Sequence, residues 1–221
     1  MIFEQSWRWY GPNDPVKLAT IKQAGAHGVV TALHQIPVGE IWTKEAIKER
    51  ISQIEESNRL HSFKLHWNVV ESLPVHEFIK QGRPERDQLI ENYKESIKNL
   101  AACGVKTICY NFMPILDWLR TNVRYELEDG STALLHDMVD VVIFDVYMLQ
   151  RENAEQSYSD DILMRAKAKY ESLSDHEIAV LKQSLLMALP GDKDGFTIEK
   201  LKNGLKQYDG ISREQLQENL I

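Results

Sequence analysis

The chain has 221 residues, 43% of them hydrophobic, and a formal net charge of −7, which is enough apolar material for one large core or two small ones. No run approaches the roughly 18 apolar residues of a membrane span, and the opening MIFEQSWRWYGPNDP lacks the basic start and apolar centre of a signal peptide; a cytoplasmic location with no membrane partner is expected. The acidic balance, with its basic residues spread along amphipathic helices, leaves no electrostatic footprint for a phosphate backbone, so nucleic acid is disfavoured as a partner.

In chain order, SWRWYG reads as a short aromatic strand, and DPVKLATIKQAG as a helix with an acidic N-cap, a proline at its first position and a glycine stop. HGVVTAL repeats the strand signature. IPVGEIW makes a loop, and TKEAIKERISQIEESN opens on Thr43 as N-cap with Ile47, Ile51 and Ile54 at helical spacing. FKLHWNVVESLP is a third strand, RPERDQLIENYKESIKNLAACG a long helix with Leu89, Tyr93, Ile97 and Leu100 on one stripe, and VKTICYNF a fourth strand. Strands separated by single helices predict parallel pairing through right-handed crossovers.

After Met113 the rhythm changes, and residues 112–210 read as one insertion within a single domain spanning 1–221, because connections in βα units are usually only ~2–6 residues. RTNVRYELEDGSTALLHD predicts a hairpin turning at Asp129-Gly130. SDDILMRAKAKYESL and SDHEIAVLKQSLLMAL each start on a Ser-Asp cap and read as helices; PGDKDGF separates them from the capped helix TIEKLKNGLKQYDG, and SREQLQENLI is a last helix with Ser212 as N-cap.

Ligands of parallel α/β folds bind at the carboxyl ends of the strands. Those ends carry Arg8, Trp9 and Tyr10; His34 and Gln35; Glu71 with His76 just beyond; and Tyr110 and Asn111, with Asp117 following. Helix-side loops such as ACGVK are bland, and that asymmetry marks the strand ends as the candidate site. Each residue also has an ordinary reading. Glu71 could simply pair with a Lys or Arg, the tryptophans could be core, and Cys109 in an apolar strand reads as an inert thiol. Cys103 and Cys109 are read as reduced. The histidines have no zincin-type spacing.

The blocks WRWYGPNDPV, GVVTALHQIPVGEIW, VVESLPVHE, ENYKESIKNLAACGVKTICYNFMPILDW and LPGDKDGFT, in this order, resemble the mannonate dehydratase family. The resemblance implies a TIM (β/α)8 barrel of the xylose-isomerase-like type. It also implies a lyase, needing Mn2+ or Fe2+, that removes water from D-mannonate to give 2-keto-3-deoxy-D-gluconate in hexuronate (glucuronate) catabolism. In such a dehydration a base takes the C2 proton, an acid assists departure of the C3 hydroxyl, and the enol tautomerises to the ketone. Arg8, Trp9, Tyr10, His34, Glu71, His76, Asn111 and Asp117 are then candidates for binding the sugar acid, with no catalytic acid or base assigned.

A complete barrel takes ~250 residues, and this chain presents about four of its eight βα units before the insertion. In the family the chain continues into a fifth strand with a His-Pro-Asp-Asp run, and the metal ligands, two histidines, a cysteine and an aspartate, come from that second half. No metal ligand is therefore expected within residues 1–221. A homo-oligomer is expected, since a half-barrel leaves strand edges unpaired. The insertion is read as a lid or a subunit contact. An inactive half-barrel or binding module, and a related sugar isomerase or epimerase, are the alternatives.

Overall fold

A computed structural model describes residues 3–61, 64–115, 119–187 and 197–221. The chain divides into two compact units, one comprising the residues up to Pro114 together with Gly210–Ile221, the other Ile115–Asp209.

In the first unit, β1 (Ser6–Arg8), β2 (Gly28–Thr31), β3 (His66–Val70) and β4 (Thr107–Ile108) form one sheet in the order β1-β2-β3-β4, with every neighbouring pair parallel. This is the α/β architecture that the alternation of strand and helix predicts. The connections carry α1 (Leu18–Gln23), α2 (Lys44–His61), the short α3 (Glu77–Lys80) and α4 (Arg86–Ala102), and α9 (Arg213–Leu220) packs against α3. Val29, Trp67 and Val70 of the sheet are buried with Leu18 and Ile21 of α1, Ile47 and Ile54 of α2 and Leu100 of α4 in a single core. The strands are shorter than the patterns suggest. β4 has two residues, and among the described strands only β3 pairs with it.

Two helix details depart from the sequence reading, each for a local reason. Asp14 does not cap α1: its carboxylate accepts from the backbone N–H groups of Tyr10 (2.7 Å) and Val16 (2.8 Å), closing a turn around Pro15, and α1 starts after Lys17 with no side-chain cap. On α4 the buried stripe is partly polar. Ile97 is exposed, while Ser96 and Asn99 are buried because they satisfy the backbone of Trp42: the Trp42 N–H donates to Ser96 Oγ (3.0 Å) and Asn99 Nδ2 donates to the Trp42 carbonyl (3.0 Å). A buried loop leaves its peptide groups without water, so helix side chains take that part.

The second unit has the expected hairpin, β5 (Asn122–Glu126) antiparallel to β6 (Thr132–Leu135), with Asp129 and Gly130 in the turn. It continues with α5 (Met138–Val142), which runs on as a π-helical segment, Ile143–Met148, and then α6 (Asp160–Ser172), α7 (Asp175–Leu185) and α8 (Ile198–Lys206). Ser174 closes a full capping box with Glu177, and Thr197 caps α8, whereas Ser159 makes no side-chain cap bond. Val142, Ile143, Ala166, Leu185 and Leu201 centre a second core. The PGDKDGF segment lies outside the described residues.

Candidate functional site

The carboxyl ends of β1, β2 and β3 lie side by side, and the ladder continues one step past β1, β3 and β4: Trp9 N–H donates to Val30 O, Glu71 N–H to Thr31 O and Cys109 N–H to Val70 O. Four of the expected residues meet there. The guanidinium of Arg8 pairs with the carboxylate of Glu71, both side chains about one third exposed. It also stands 5.7 Å from the centre of the Tyr10 ring, which is itself 5.7 Å from the His34 ring. The result is a strip of cation, carboxylate, phenol and imidazole across three adjacent strand ends. The ordinary reading of Glu71, an acid paired with an arginine, holds, and its partner is another of the expected residues.

His34 is the electrostatically distinctive member. Its pKa is lowered from 6.5 to about 4, first because burial disfavours the imidazolium and then because Arg50 and Arg8 both add positive charge nearby. The ring is therefore neutral at physiological pH. Its Nδ1 is buried and has no hydrogen-bond partner among the described residues. A buried polar atom left unmatched within a protein is costly, and this one lies in a polar strip at the strand ends.

The remaining expected residues are placed differently. Trp9 is 4% exposed and belongs to the core, its ring facing the Arg50 guanidinium at 5.4 Å. His76 is the N-cap of α3: its Nδ1 accepts from the Phe78 N–H at 3.1 Å, its ring meets Phe78 edge-on, and it lines a narrow cleft with Gly39, Leu89 and Tyr93. Asn111 is half-buried, three residues past β4, and is not among the residues joined by the contacts above. Asp117 lies outside the described residues. Cys103 and Cys109 are free thiols, both half-buried.

Arg50, which the sequence reading passed over, lies directly behind the strip. It is 4% exposed and donates from Nη1 to Thr31 Oγ1 (3.1 Å) and the Ala32 carbonyl (3.0 Å), and from Nη2 to Gln35 Oε1 (3.2 Å). A signal for it exists in the sequence: Arg50 falls three residues after Ile47 and four before Ile54, so it interrupts the apolar stripe of α2. A charge at such a position needs a polar destination inside the fold.

A parallel α/β sheet with a polar, aromatic strip on its strand ends is the arrangement at which folds of this class bind small polar ligands. Comparison with known proteins makes this specific. Residues 3–221 match the model of the D-mannonate dehydratase (UxuA) family. A mannonate dehydratase of Marinomonas sp. is 46% identical over 217 residues, covering 98% of this chain and 54% of that protein, and one from Saccharophagus degradans is 41% identical over 218 residues, covering 99% and 53%. The crystal structure of mannonate dehydratase from Streptococcus suis serotype 2 superposes with a TM-score of 0.65 at 34% identity, over 100% of this chain and 48% of that one. The chain belongs to the D-mannonate dehydratase family. It spans about half the length of the curated relatives it matches.

Proposed function

We propose that the chain supplies the first four βα units of a xylose-isomerase-like (β/α)8 barrel. The reaction is loss of water from D-mannonate to give 2-keto-3-deoxy-D-gluconate, in the cytoplasm and in hexuronate breakdown. The observation that carries this reading is the gathering of Arg8, Tyr10, His34 and Glu71 on three adjacent strand ends of a chain of this family. The segment Ile115–Asp209 is then an insertion after the fourth strand.

The residues suit a polyhydroxylated acid. Arg8 offers guanidinium N–H groups to a carboxylate or hydroxyl while Glu71 accepts from hydroxyls, so the pair presents donors and an acceptor in one place. Neutral His34 offers a lone pair or an N–H with no charge of its own, and the Tyr10 phenol can donate or accept. Asn111 and Asp117 are proposed to extend this wall from the fourth strand end. Trp9 is proposed to serve it from beneath and His76 from its rim.

The Mn2+ or Fe2+ implied by the resemblance has no fitting ligand set here: among the described residues no group of three or more His, Cys, Asp or Glu side chains could hold a metal ion. The roles given to Arg8, Tyr10, His34 and Glu71 are those of ligand recognition. Homo-oligomerisation is part of the same proposal, since β1 and β4 each pair on one side only among the described strands.

The test is calorimetry of the purified protein with D-mannonate. Saturable binding that weakens at least about tenfold in Arg8→Met supports the reading. Binding of a neutral aldose but not of D-mannonate would replace it with an isomerase-type site.

A further inference from the structure

The charge balance of the strand-end strip is unusual. Arg8 is neutralised by Glu71, and Asp14 in the loop after β1 is occupied by the backbone N–H groups of Tyr10 and Val16. Arg50, by contrast, is 4% exposed and has no carboxylate within ion-pair distance among the described residues; the Glu49 carboxylate acts on it only at longer range, burial is the stronger influence, and the Arg50 Nε has no hydrogen-bond partner there. Burying a guanidinium without a counter-ion costs several kcal/mol, an order of magnitude that neutral partners offset only in part.

The surroundings are built to keep it there. Gly11, at φ +100°, passes so close that a Cβ would lie 2.9 Å from Arg50 Nη1, so only glycine fits both the turn and the space. The Trp9 ring faces the guanidinium at 5.4 Å, and Thr31, Ala32 and Gln35 take its N–H groups. All of these belong to β1, β2 or the segments leaving their carboxyl ends, next to Tyr10 and His34.

We propose that Arg50 is a positioning and selectivity residue, whose charge, in contact with no carboxylate and set behind the ends of β1 and β2, makes the strip favour an anionic sugar over a neutral one without touching it. The inference rests on the proposed ligand class. It goes beyond that reading in assigning the selectivity to a helix residue under the site and not to Arg8. The charge reaches His34 as well: after burial, the largest cause, Arg50 and Arg8 both act to keep its imidazole unprotonated, with Tyr10 against its ring and Glu71 balancing Arg8.

The experiment compares wild type, Arg50→Lys, which keeps the charge, and Arg50→Met, which keeps the stem. Affinity for D-mannonate and for the neutral sugar D-mannose is read by calorimetry, and the His34 imidazole is titrated by NMR in the same samples. The expected result is a preference for D-mannonate that drops at least about tenfold in Arg50→Met and stays within about threefold in Arg50→Lys. Equal loss in both variants would overturn the inference, because the guanidinium fork and not the charge would then be responsible, as would an unchanged preference in Arg50→Met. If wild type binds neither sugar, the ligand reading fails by itself, and the His34 titration decides on Arg50. A titration point that rises in Arg50→Met but not in Arg50→Lys supports the charge effect, and one that moves in neither variant refutes it.

Discussion

Gly28 offers the sharpest test of how the sheet is packed. It lies on β2 between Ser6 of β1 and Asn68 of β3, and Asn68 Nδ2 donates to Ser6 Oγ at 2.6 Å, so this bond spans from β1 to β3 across the glycine. A Cβ on Gly28 would lie 2.6 Å from Asn68 Cβ, 2.9 Å from Asn68 Nδ2 and 2.9 Å from Ser6 Oγ. Carbon atoms rest at about 3.5–4.0 Å, so in Gly28→Ala the neighbouring strands must give way by about 1 Å. Overpacking of this kind costs ~1–3 kcal/mol and loss of the Asn68–Ser6 bond another ~0.5–1.5, for a total of about 1.5–4.5 kcal/mol. At ~2–4 °C per kcal/mol for a chain of this size, thermal unfolding should move down by about 3–18 °C. Because the closest atom is the Asn68 Cβ, Asn68→Ala should not rescue Gly28→Ala, whereas Asn68→Gly should. Gly104→Ala is the control for backbone strain alone: Gly104 has φ +90° and nothing within 4 Å of its would-be Cβ, so the cost should be only ~1–2 kcal/mol. A Gly28→Ala protein melting within about 2 °C of wild type would refute the reasoning.

Three further outcomes follow from other parts of the structure. The His34 pKa is lowered in the fold from 6.5 to about 4, so between those values the unfolded chain binds more protons; stability is full above pH 6.5 and falls as pH drops toward 4. Urea titrations at pH 7 and pH 5 should show that loss in wild type and a smaller one in His34→Gln; equal losses would remove His34 as its source. Ser96→Ala leaves the buried Trp42 N–H unpaired and should cost ~1–3 kcal/mol in urea unfolding, while an unchanged midpoint would mean that the N–H finds another acceptor. In the second unit, buried Asp145 binds Arg151 through both carboxylate oxygens and accepts from the Tyr158 hydroxyl at 2.7 Å, and burial with the Asp145 hydrogen bond pushes Tyr158 up to about 12. Asp145→Asn should cost about 2–4 kcal/mol, and spectrophotometric titration should find Tyr158 ionising at lower pH; neither change would count against the network.

The parallel sheet was legible because its signals are local and periodic: Val29 and Val70 repeat strand patterning, and Ile47 and Ile54 a helical stripe, in one core. The ends of elements were less so. Asp14 has the chemistry of an N-cap yet serves the Tyr10–Val16 turn, a choice set by Pro15 and the chain's path. Ser96 and Asn99 look like surface residues of α4 until the loop carrying Trp42 lies against them, which is non-local information. The same limit applies to the site. Strand-end position brought out Arg8, Tyr10, His34 and Glu71, but His76 follows β3 in sequence and is taken up by α3 as its cap. Arg50 could be seen only as an exception within an apolar stripe, and its partners lie 15 to 19 residues earlier in the chain.

The most direct test of the site is a titration of the protein with D-mannonate, followed through the imidazole NMR signals of its seven histidines. The strand-end account predicts a saturable shift of His34, with its unpartnered Nδ1 finding a partner, while His27 and His66, at the amino ends of β2 and β3, stay in place. No shift at His34 under saturating D-mannonate, or parallel shifts of all the histidines, would contradict it.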